Sequence, residues 1–350
     1  MSDGLRPELR EWVATEAGED VVSCQPIGQG ASRQIWLVAL ASGRELVVRL
    51  DAGDGPVAGT SLTLAREAAV YRGLAGSDLP MPRLHAVHPD GNALLLDRAP
   101  GDDRLTDLPD GERRSVAEDY GRCLGRLHSL ELSALDLGPL ASAADASTAA
   151  DLDVWRSIDA TRSGAGASPA VRIALDLLGA NVPTNARASL CHGDAGPGNF
   201  LHAGGRVTAL LDWEFAHVGD AHDDLAWVAV RNQLLRHPLD VDVTFGAWRN
   251  TTGTDFDLAR LEWFRALVLT RMLISCDATI AWAGPDAPGA RVQIVLRPFL
   301  AVAVFEALRR AGYAADQPEA EQAARTAWEG SVAAGALDDP HHLDDLGALV

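Results

Sequence analysis

The stretch that decides the fold reads Cys191-His192-Gly193-Asp194-Ala195-Gly196-Pro197-Gly198-Asn199-Phe200. Its three glycines and one proline predict an irregular path that leads from one short strand into the next. Such a path can aim the carboxylate of Asp194 and the amide of Asn199 at one point. A glycine-rich turn capped by Asp and Asn is also common in ordinary loops, so the stretch alone leaves both interpretations open.

The segment after this loop supplies a second carboxylate. Gly204–Gly205 predicts a tight hairpin, and residues 206–211 read as its return strand. The strand ends in Leu210-Leu211-Asp212-Trp213-Glu214 and brings Asp212 close to Asn199. In phosphoryl transfer from ATP, one Asp orients the attacking hydroxyl, while an Asn and a second Asp hold the magnesium ion that bridges the phosphates. The pattern therefore predicts a small-molecule kinase.

These two stretches resemble the aminoglycoside phosphotransferase and choline kinase superfamily, which has the protein-kinase fold. The resemblance implies that Asp194, in a His-Gly-Asp-x4-Asn loop, is the catalytic base. It also implies that Asn199 and Asp212 bind Mg²⁺ and that ATP or GTP is the phosphate donor. The implied acceptor is a hydroxyl group of a small metabolite or antibiotic.

Residues 219–226, Gly-Asp-Ala-His-Asp-Asp-Leu-Ala, resemble a later segment of the same superfamily. We interpret Asp220 and Asp224 as structural residues that cap a helix N-terminus and brace the catalytic loop. His192, two residues before the catalytic Asp, is assigned the same supporting role.

The front of the chain reads as the nucleotide-binding part. Val21–Ile27 and Gln34–Leu40 are predicted strands on either side of a glycine-rich segment. Backbone N–H groups in such a segment can close over phosphates, which makes Gly28, Gly30 and Ser32 candidate nucleotide-binding residues. A single Gly-x-Gly is weak evidence, because most are ordinary turns.

A third strand, Arg44–Leu50, is followed by a helix around residues 64–71. In the resembled family, a lysine on this strand binds the phosphates and pairs with a helix glutamate, which implies these roles for Arg49 and Glu67. This chain contains no lysine, and all 30 of its basic residues are arginines. Arginine also binds phosphate, bidentately and with a fixed charge. An arginine here resembles the branch related to the kinase-like domain of some acyl-CoA dehydrogenases; a surface arginine at a strand end is the alternative.

Two further strands, Pro80–Leu84 and Ala93–Asp97, are predicted before the next turn. The residues that follow, Asp97-Arg98-Ala99-Pro100-Gly101, resemble the hinge on which adenine lies. Asp97 and Ala99 are therefore candidate nucleotide-binding residues.

The order of the front elements resembles a kinase N-lobe, and the family resemblance implies an α+β, two-lobed, protein-kinase-like fold. We expect a small N-lobe at residues 1–98, with an antiparallel sheet plus a helix, and a larger, mostly helical C-lobe at residues 99–350. The C-lobe helices are predicted at residues 112–130, 151–158, 169–178, 220–236, 240–249, 255–282, 290–311 and 317–334.

Composition agrees with this size and class. The chain has 350 residues, of which 47% are apolar, enough for two packed lobes. No basic start followed by an apolar segment is present, and Arg271 breaks the most apolar run, so neither a signal peptide nor a membrane span is expected. Four scattered cysteines lack metal-type spacing and read as reduced thiols. We expect a cytoplasmic protein.

The net charge of −19 argues against nucleic-acid and anionic-membrane partners. Most of the excess lies after residue 98, where 36 acidic residues face 21 arginines. A cationic acceptor fits this bias, although a solvated acidic surface explains it more simply. The oligomeric state is left open.

Two other functions remain open at this point. One is a pseudokinase that acts as a binding module, which the complete catalytic set opposes. The other is a metal-dependent hydrolase that uses His217, His222 and Asp223 or Asp224, whose spacing is not that of a recognised zinc helix. The acceptor itself is not chosen by fold or loop, because relatives with similar loops act on aminoglycosides, macrolides, choline-like amines and homoserine-like amino acids.

Overall fold

The structure is a computed structural model. It describes residues 4–29, 33–51, 53, 55–140, 147–162, 168–184, 186–234, 239–284 and 287–313, with 318 and 322 as isolated residues.

The N-terminal lobe is built on a five-stranded sheet. Its strands are β1 (Val21–Gln29), β2 (Arg33–Leu40), β3 (Glu45–Asp51), β4 (Leu84–Val87) and β5 (Ala93–Asp97). They lie in the order β1-β2-β3-β5-β4, and every neighbouring pair is antiparallel. Side chains alternate along a strand, so Leu46, Val48 and Leu50 of β3 are buried on one face. Val47 and Arg49 point to the opposite face, which lines a large cavity.

Two helices complete this lobe. Helix α1 (Pro7–Ala17) covers one face of the sheet, where its Leu9 and Val13 pack in one apolar cluster with Trp36. Helix α2 (Leu64–Gly73) lies against β4 and β5 and carries four apolar residues into the main core. Burial of these apolar faces fixes both helices against the sheet.

The C-terminal lobe is mostly helical. Its helices are α3 (Asp110–Ser129), α4 (Thr148–Arg162), α5 (Pro169–Ala180), α6 (His222–Leu234), α7 (Val241–Thr252), α8 (Leu258–Ala283) and α9 (Pro288–Arg310). Two small antiparallel ladders join these helices, formed by β6 (Ala188–Cys191) with β9 (His217–Asp220) and by β7 (Phe200–Ala203) with β8 (Arg206–Leu210). The functional loop runs from β6 to β7, between the two ladders.

The predicted α+β, two-lobed fold is confirmed, with local differences. Helix α1 was not predicted, and β9 covers the start of the predicted helix at 220–236. The predicted strand Pro80–Leu84 is wrong except at its last residue, because prolines cannot donate to a sheet and the ladder starts at Leu84. The predicted helix at 317–334 lies outside the described residues, and the lobe boundary at residue 98 stays a prediction.

Helix α8 corrects the expectation that no segment reaches the length of a membrane span. By length and composition it could cross a membrane, with a mean hydropathy of 1.4 over its most apolar window. However, 67% of that window is buried inside the protein, as in the core helix of a globular lobe. Arg271 lies in the middle of α8, is itself buried and pairs with Asp223 at 2.7 Å.

Close packing of α3 on α7 generates the first prediction. A Cβ atom at Gly121 would lie 2.2 Å from the carbonyl oxygen of Thr244, so the two helices must separate in a Gly121→Ala variant. We expect a loss of stability of about 1–3 kcal/mol from this overpacking, measured as a lower midpoint of urea unfolding.

Gly111→Ala is the matched control on the same helix. A Cβ atom at Gly111 would meet no heavy atom within 4 Å, so this change should stabilise α3 by up to about 1 kcal/mol. Equal unfolding midpoints for the two variants would contradict the predicted close contact.

Candidate active site

The loop between β6 and β7 adopts a path that only glycines permit at three positions. Gly193, Gly196 and Gly198 have φ values of +78°, +134° and +93°, in the left-handed region. This path folds Asn199 back onto Asp194: Asn199 Nδ2 donates to the backbone oxygen and to Oδ2 of Asp194, both at 2.7 Å. The two residues predicted as base and metal ligand are therefore neighbours.

Asp212 lies next to this pair and has a strained backbone. Leu211 N donates to Asn199 O at 2.9 Å, and His192 Nε2 donates to Leu211 O at 2.7 Å. Within the described part of the chain, Asp212 is the one non-glycine residue with a positive φ, at 64°. Such strain persists where surrounding contacts enforce it, and it is typical of functional sites.

Asp224, at the start of α6, holds the beginning of the loop. Its Oδ2 accepts from His192 N at 2.8 Å, and its Oδ1 accepts from Gly193 N at 2.9 Å. Trp248 Nε1 donates to His128 Nδ1 at 2.8 Å, so the other ring nitrogen, Nε2, carries the proton that His128 donates to Asp224 at 2.9 Å. The bracing role predicted for Asp224 thus has a visible geometry, with His128 as a further support.

Asp220 supports the same helix from the end of β9. Its Oδ1 accepts from His222 N at 3.0 Å and contacts His222 Nδ1 at 2.7 Å. Its Oδ2 accepts from Arg260 Nη1 at 2.5 Å, which ties α8 to this corner. Asp220 therefore satisfies the amide of His222, the first residue of α6.

Charged side chains link the two lobes in a series of alternating sign. Arg49 Nε lies 2.6 Å from Glu67 Oε2, and Arg49 Nη2 donates to Asp212 Oδ1. Glu67 has no exposed surface, and its Oε1 accepts from Arg33 Nε at 3.1 Å. The structure places Arg49 against Glu67 as predicted, and the phosphate-binding role of both stays a prediction.

The three acidic groups of the site differ in pKa. Burial raises the pKa of Asp194, and Arg231 opposes the rise without cancelling it. Burial also acts on Asp212, but Arg49 and His192 outweigh it, so its pKa lies below the usual value. Burial, with repulsion from Asp212, raises the pKa of Glu214 to about 8.

A cavity of about 820 Å³ opens between the lobes. Its walls include the hinge residues 97–101, so the predicted candidates Asp97 and Ala99 both border it. The carboxylate of Asp97 contacts His85 Nε2 at 2.6 Å. Apolar side chains and the charged groups of the site face the same space: Val47, Tyr71, Leu96, Leu201, Leu211, Arg49, Asn199 and Asp212. A purine ring fits such apolar walls, and phosphates fit the charged end.

The segment after the predicted hinge is joined to the β7–β8 hairpin by backbone hydrogen bonds. Asp102 N donates to His202 O at 3.0 Å, and His202 N donates to Asp102 O at 2.9 Å. Gly101, with φ +123°, has no room for a side chain, because a Cβ atom would lie 2.6 Å from Thr208 Oγ1. Of the three candidates in the glycine-rich segment, Gly28 pairs with Ile35 in the β1–β2 ladder. The other two, Gly30 and Ser32, lie outside the described residues.

The donor set fits a magnesium ion. Asp212 offers a carboxylate. Asn199 donates both of its hydrogen bonds to Asp194 through Nδ2, which leaves its Oδ1 for a ligand. Glu214 Oε2 is buried and has no hydrogen-bond partner among the described residues. Carboxylate and amide oxygens are ligands that Mg²⁺ prefers.

Sequence reasoning missed three residues of this site: His128 as a hydrogen-bond partner, Glu214 and Arg231. Arg231 Nη1 donates to Asp194 Oδ1 at 2.6 Å. One signal was available, since Arg231 follows Asp224 by seven residues and therefore lies on the same face of α6.

The residues of the alternative hydrolase hypothesis do not form an open metal site. Arg271 donates to both oxygens of Asp223, at 2.7 and 2.8 Å, and also to Asp151, so these carboxylates already face a cation. Burial lowers the pKa of His217, but Asp151 and Asp223 outweigh it and raise that pKa to about 9. His222 contacts Asp220.

The chain belongs to the phosphotransferase enzyme family, which its residues 23–264 match. It is 25% identical over 259 residues to acyl-CoA dehydrogenase family member 10 of Mus musculus, a match that covers 69% of this chain and 24% of that protein. The chain thus spans about a quarter of that curated relative. The family resemblance inferred from the sequence is confirmed.

Solved structures share the fold. One is a candidate aminoglycoside phosphotransferase from Ralstonia eutropha JMP134, with a TM-score of 0.61, 19% identity and coverage of 92% of this chain and 97% of that one. Another is a macrolide 2′-phosphotransferase from Brachybacterium faecium, with a TM-score of 0.55, 20% identity and coverage of 81% and 100%. A third is a thermostable mutant aminoglycoside phosphotransferase in a ternary complex with ADP and hygromycin B, with a TM-score of 0.57, 20% identity and coverage of 87% and 98%.

Asp224→Asn tests the bracing of the loop. An amide would place a donor against one of three N–H groups that now point at the carboxylate, so we expect a loss of about 3 kcal/mol of unfolding free energy. Hydrogen bonds from His128 hold the pKa of Asp224 below its usual value despite burial. This carboxylate stabilises the fold above pH ~4, and the contribution is lost as pH falls through its lowered pKa.

Urea unfolding at pH 7 and at pH 3 would measure both effects. Asp255→Asn is the control, since that side chain is 84% exposed and its replacement should change little. A normal midpoint for Asp224→Asn at pH 7 would rule out the bracing role.

Proposed function

We propose that the protein is a small-molecule kinase that transfers the γ-phosphate of ATP, or of GTP, to a hydroxyl group of a small acceptor. The observation that carries this proposal is the convergence at one end of the interlobe cavity. Arg49, Asn199 and Asp212 border the cavity there, and Asp194 is hydrogen-bonded to Asn199. This is the set of groups that phosphoryl transfer needs.

Each group has a distinct role in the proposed reaction. Asp194 accepts a hydrogen bond from the acceptor hydroxyl and orients its oxygen toward the γ-phosphorus. It takes the hydroxyl proton as the new P–O bond forms and the bond from the γ-phosphorus to the bridging β–γ oxygen breaks, so that the nucleoside diphosphate leaves. Asn199 and Asp212 would hold Mg²⁺, which neutralises developing charge on the phosphates when it is bound. Arg49 places a fixed positive charge at the phosphate end, held by Glu67. The hinge at residues 97–101 would receive the purine ring of the nucleotide.

The nature of the acceptor is supported less directly. Solved structures with this fold include an aminoglycoside phosphotransferase bound to ADP and hygromycin B and a macrolide 2′-phosphotransferase. The acidic excess after residue 98 favours a cationic acceptor in this protein. We further propose a cytoplasmic location, because the four cysteines of the sequence are free thiols in the structure.

Asp194→Asn is the direct test of the proposed function. The variant keeps the shape of the side chain but loses the charge that orients and deprotonates the acceptor, so ADP release should fall by about 10³-fold or more. Binding of Mg·ATP, measured by calorimetry, should persist. EDTA should abolish ADP release by the wild-type protein. Wild-type turnover in Asp194→Asn would show that another group is the base.

Arg49 is tested through nucleotide kinetics. Arg49→Ala should raise the KM for ATP and lower kcat, and Arg49→Lys should be only partly active, because a point charge replaces a planar fork. Glu67→Gln should have a milder effect in the same direction. The double variant should lose less than the sum of the single losses, because Arg49 and Glu67 form one ion pair.

Arg44→Ala is the control for Arg49, since Arg44 is an arginine on the turn before β3 whose ion pair with Glu19 is exposed. Its ATP kinetics should be normal. Strict additivity of the Arg49 and Glu67 changes would mean that the two residues act independently, against the proposed role.

A further inference from the structure

Arg231 makes three hydrogen bonds to the functional loop. Its Nη1 donates to Asp194 Oδ1 at 2.6 Å, while its Nε and Nη2 donate to the backbone oxygen of Pro197 at 3.1 and 3.0 Å. The side chain is 16% exposed, so these bonds are largely shielded from water. One guanidinium group therefore binds both the carboxylate of Asp194 and the backbone oxygen of Pro197.

The loop is shaped around this side chain. A Cβ atom at Gly196 would lie 3.3 Å from both Cβ and Cδ of Arg231, and one at Gly198 would lie 2.9 Å from its Nη2. Both glycines also have φ values that other residues rarely adopt, +134° and +93°. The two glycines thus permit the turn and leave room for the arginine beneath it.

Helix α6 holds the loop at two points of one face. Asp224 binds the amides of His192 and Gly193 at the start of the loop, and Arg231, two turns later, binds Asp194 and Pro197. A rigid helix that carries both contacts fixes the position of the loop relative to the C-lobe.

We propose that Arg231 is a positioning residue for phosphoryl transfer, a role that rests on the proposed kinase function. Asp194 Oδ1 is held by Arg231 and Oδ2 by Asn199, so rotation of the carboxylate is blocked from both sides. Each carboxylate oxygen of Asp194 keeps a second lone pair. The acceptor hydroxyl can therefore donate its hydrogen bond to a lone pair whose direction is fixed. Arg231 acts through Asp194, without contact to the nucleotide.

The test uses Mg·ATP with water as the acceptor. Water attacks the γ-phosphorus, the bond to ADP breaks, and the proton passes to Asp194, which yields ADP and inorganic phosphate. Loss of alignment should lower kcat for ADP release in Arg231→Ala by about 10²-fold. The KM for ATP and the calorimetric Kd for Mg·ATP should change by less than about twofold, since Arg231 is not among the residues that line the cavity.

Conservative replacement and chemical rescue distinguish positioning from simple support. Arg231→Lys should retain part of kcat, because an ammonium group can reach Asp194 but cannot bond Pro197 in the same plane. Millimolar guanidinium should restore part of kcat in Arg231→Ala and none in Asp194→Asn.

Arg156→Ala is the matched control. Arg156 also bonds one carboxylate, Asp153 at 2.9 Å, and one backbone oxygen, that of Leu175 at 2.9 Å, but on α4 and α5. Its kcat should equal that of the wild type. Thermal unfolding would verify that each variant folds. If Arg231→Ala does not fold, Arg231→Gln, which keeps most of the side-chain stem, takes its place in the comparison.

Two results would overturn the positioning role of Arg231 and leave the proposed kinase function intact. One is a kcat for Arg231→Ala equal to that of Arg156→Ala. The other is a fall in kcat that comes with a loss of Mg·ATP affinity and that added guanidinium does not reverse. A wild-type protein that neither binds Mg·ATP nor releases ADP would instead overturn the proposed kinase function, and this inference with it.

Discussion

Glu67 is a carboxylate with no exposed surface, and the need to pair its charge organises the space between the lobes. Arg49 and Arg33 contact its two oxygens, and Arg49 extends the series to Asp212. Removal of one member of such a buried pair leaves an uncompensated charge, which costs about 3–5 kcal/mol. These ion pairs therefore hold three elements together: the β-sheet, α2 and the segment after β8. The cavity lies beside them and is bordered by Arg49 and Asp212.

A second constraint acts on the functional loop between β6 and β7. A loop with several glycines loses much conformational entropy when it is fixed, so its path must be enforced from outside. Helix α6 supplies that enforcement through Asp224 at the start of the loop and Arg231 further along. The positive φ of Asp212 shows the same principle, because its strain persists only where neighbouring contacts enforce it.

The site specifies the chemistry more closely than the substrate. The groups proposed to act on the phosphates are fixed by short hydrogen bonds and ion pairs, and their types suit nucleotide and magnesium. Acceptor choice depends on the shape and charge of the C-lobe helices, which vary among proteins that share this fold. Arginine in place of lysine at position 49 fits a chain without lysine, and its planar fork accounts for simultaneous contact with Glu67 and Asp212.

The local pattern of the sequence predicted most strands and helices and the proximity of Asp194, Asn199 and Asp212, and the family resemblance carried by its motifs predicted the two-lobed fold. These features were readable because strand alternation, helix periodicity and a glycine-shaped loop act over a few residues, and the hairpin that brings Asp212 back is short. Only the tertiary structure revealed the contacts of Arg33 and Arg231, the link from Asp102 to His202, and the burial of α8. Apart from α8, these are contacts between residues 34 to 100 positions apart, and the burial of α8 depends on what packs around it. A local pattern can at most place a side chain on one face of its helix, as for Arg231 on α6. The packing of the whole chain decides which distant charge that side chain meets.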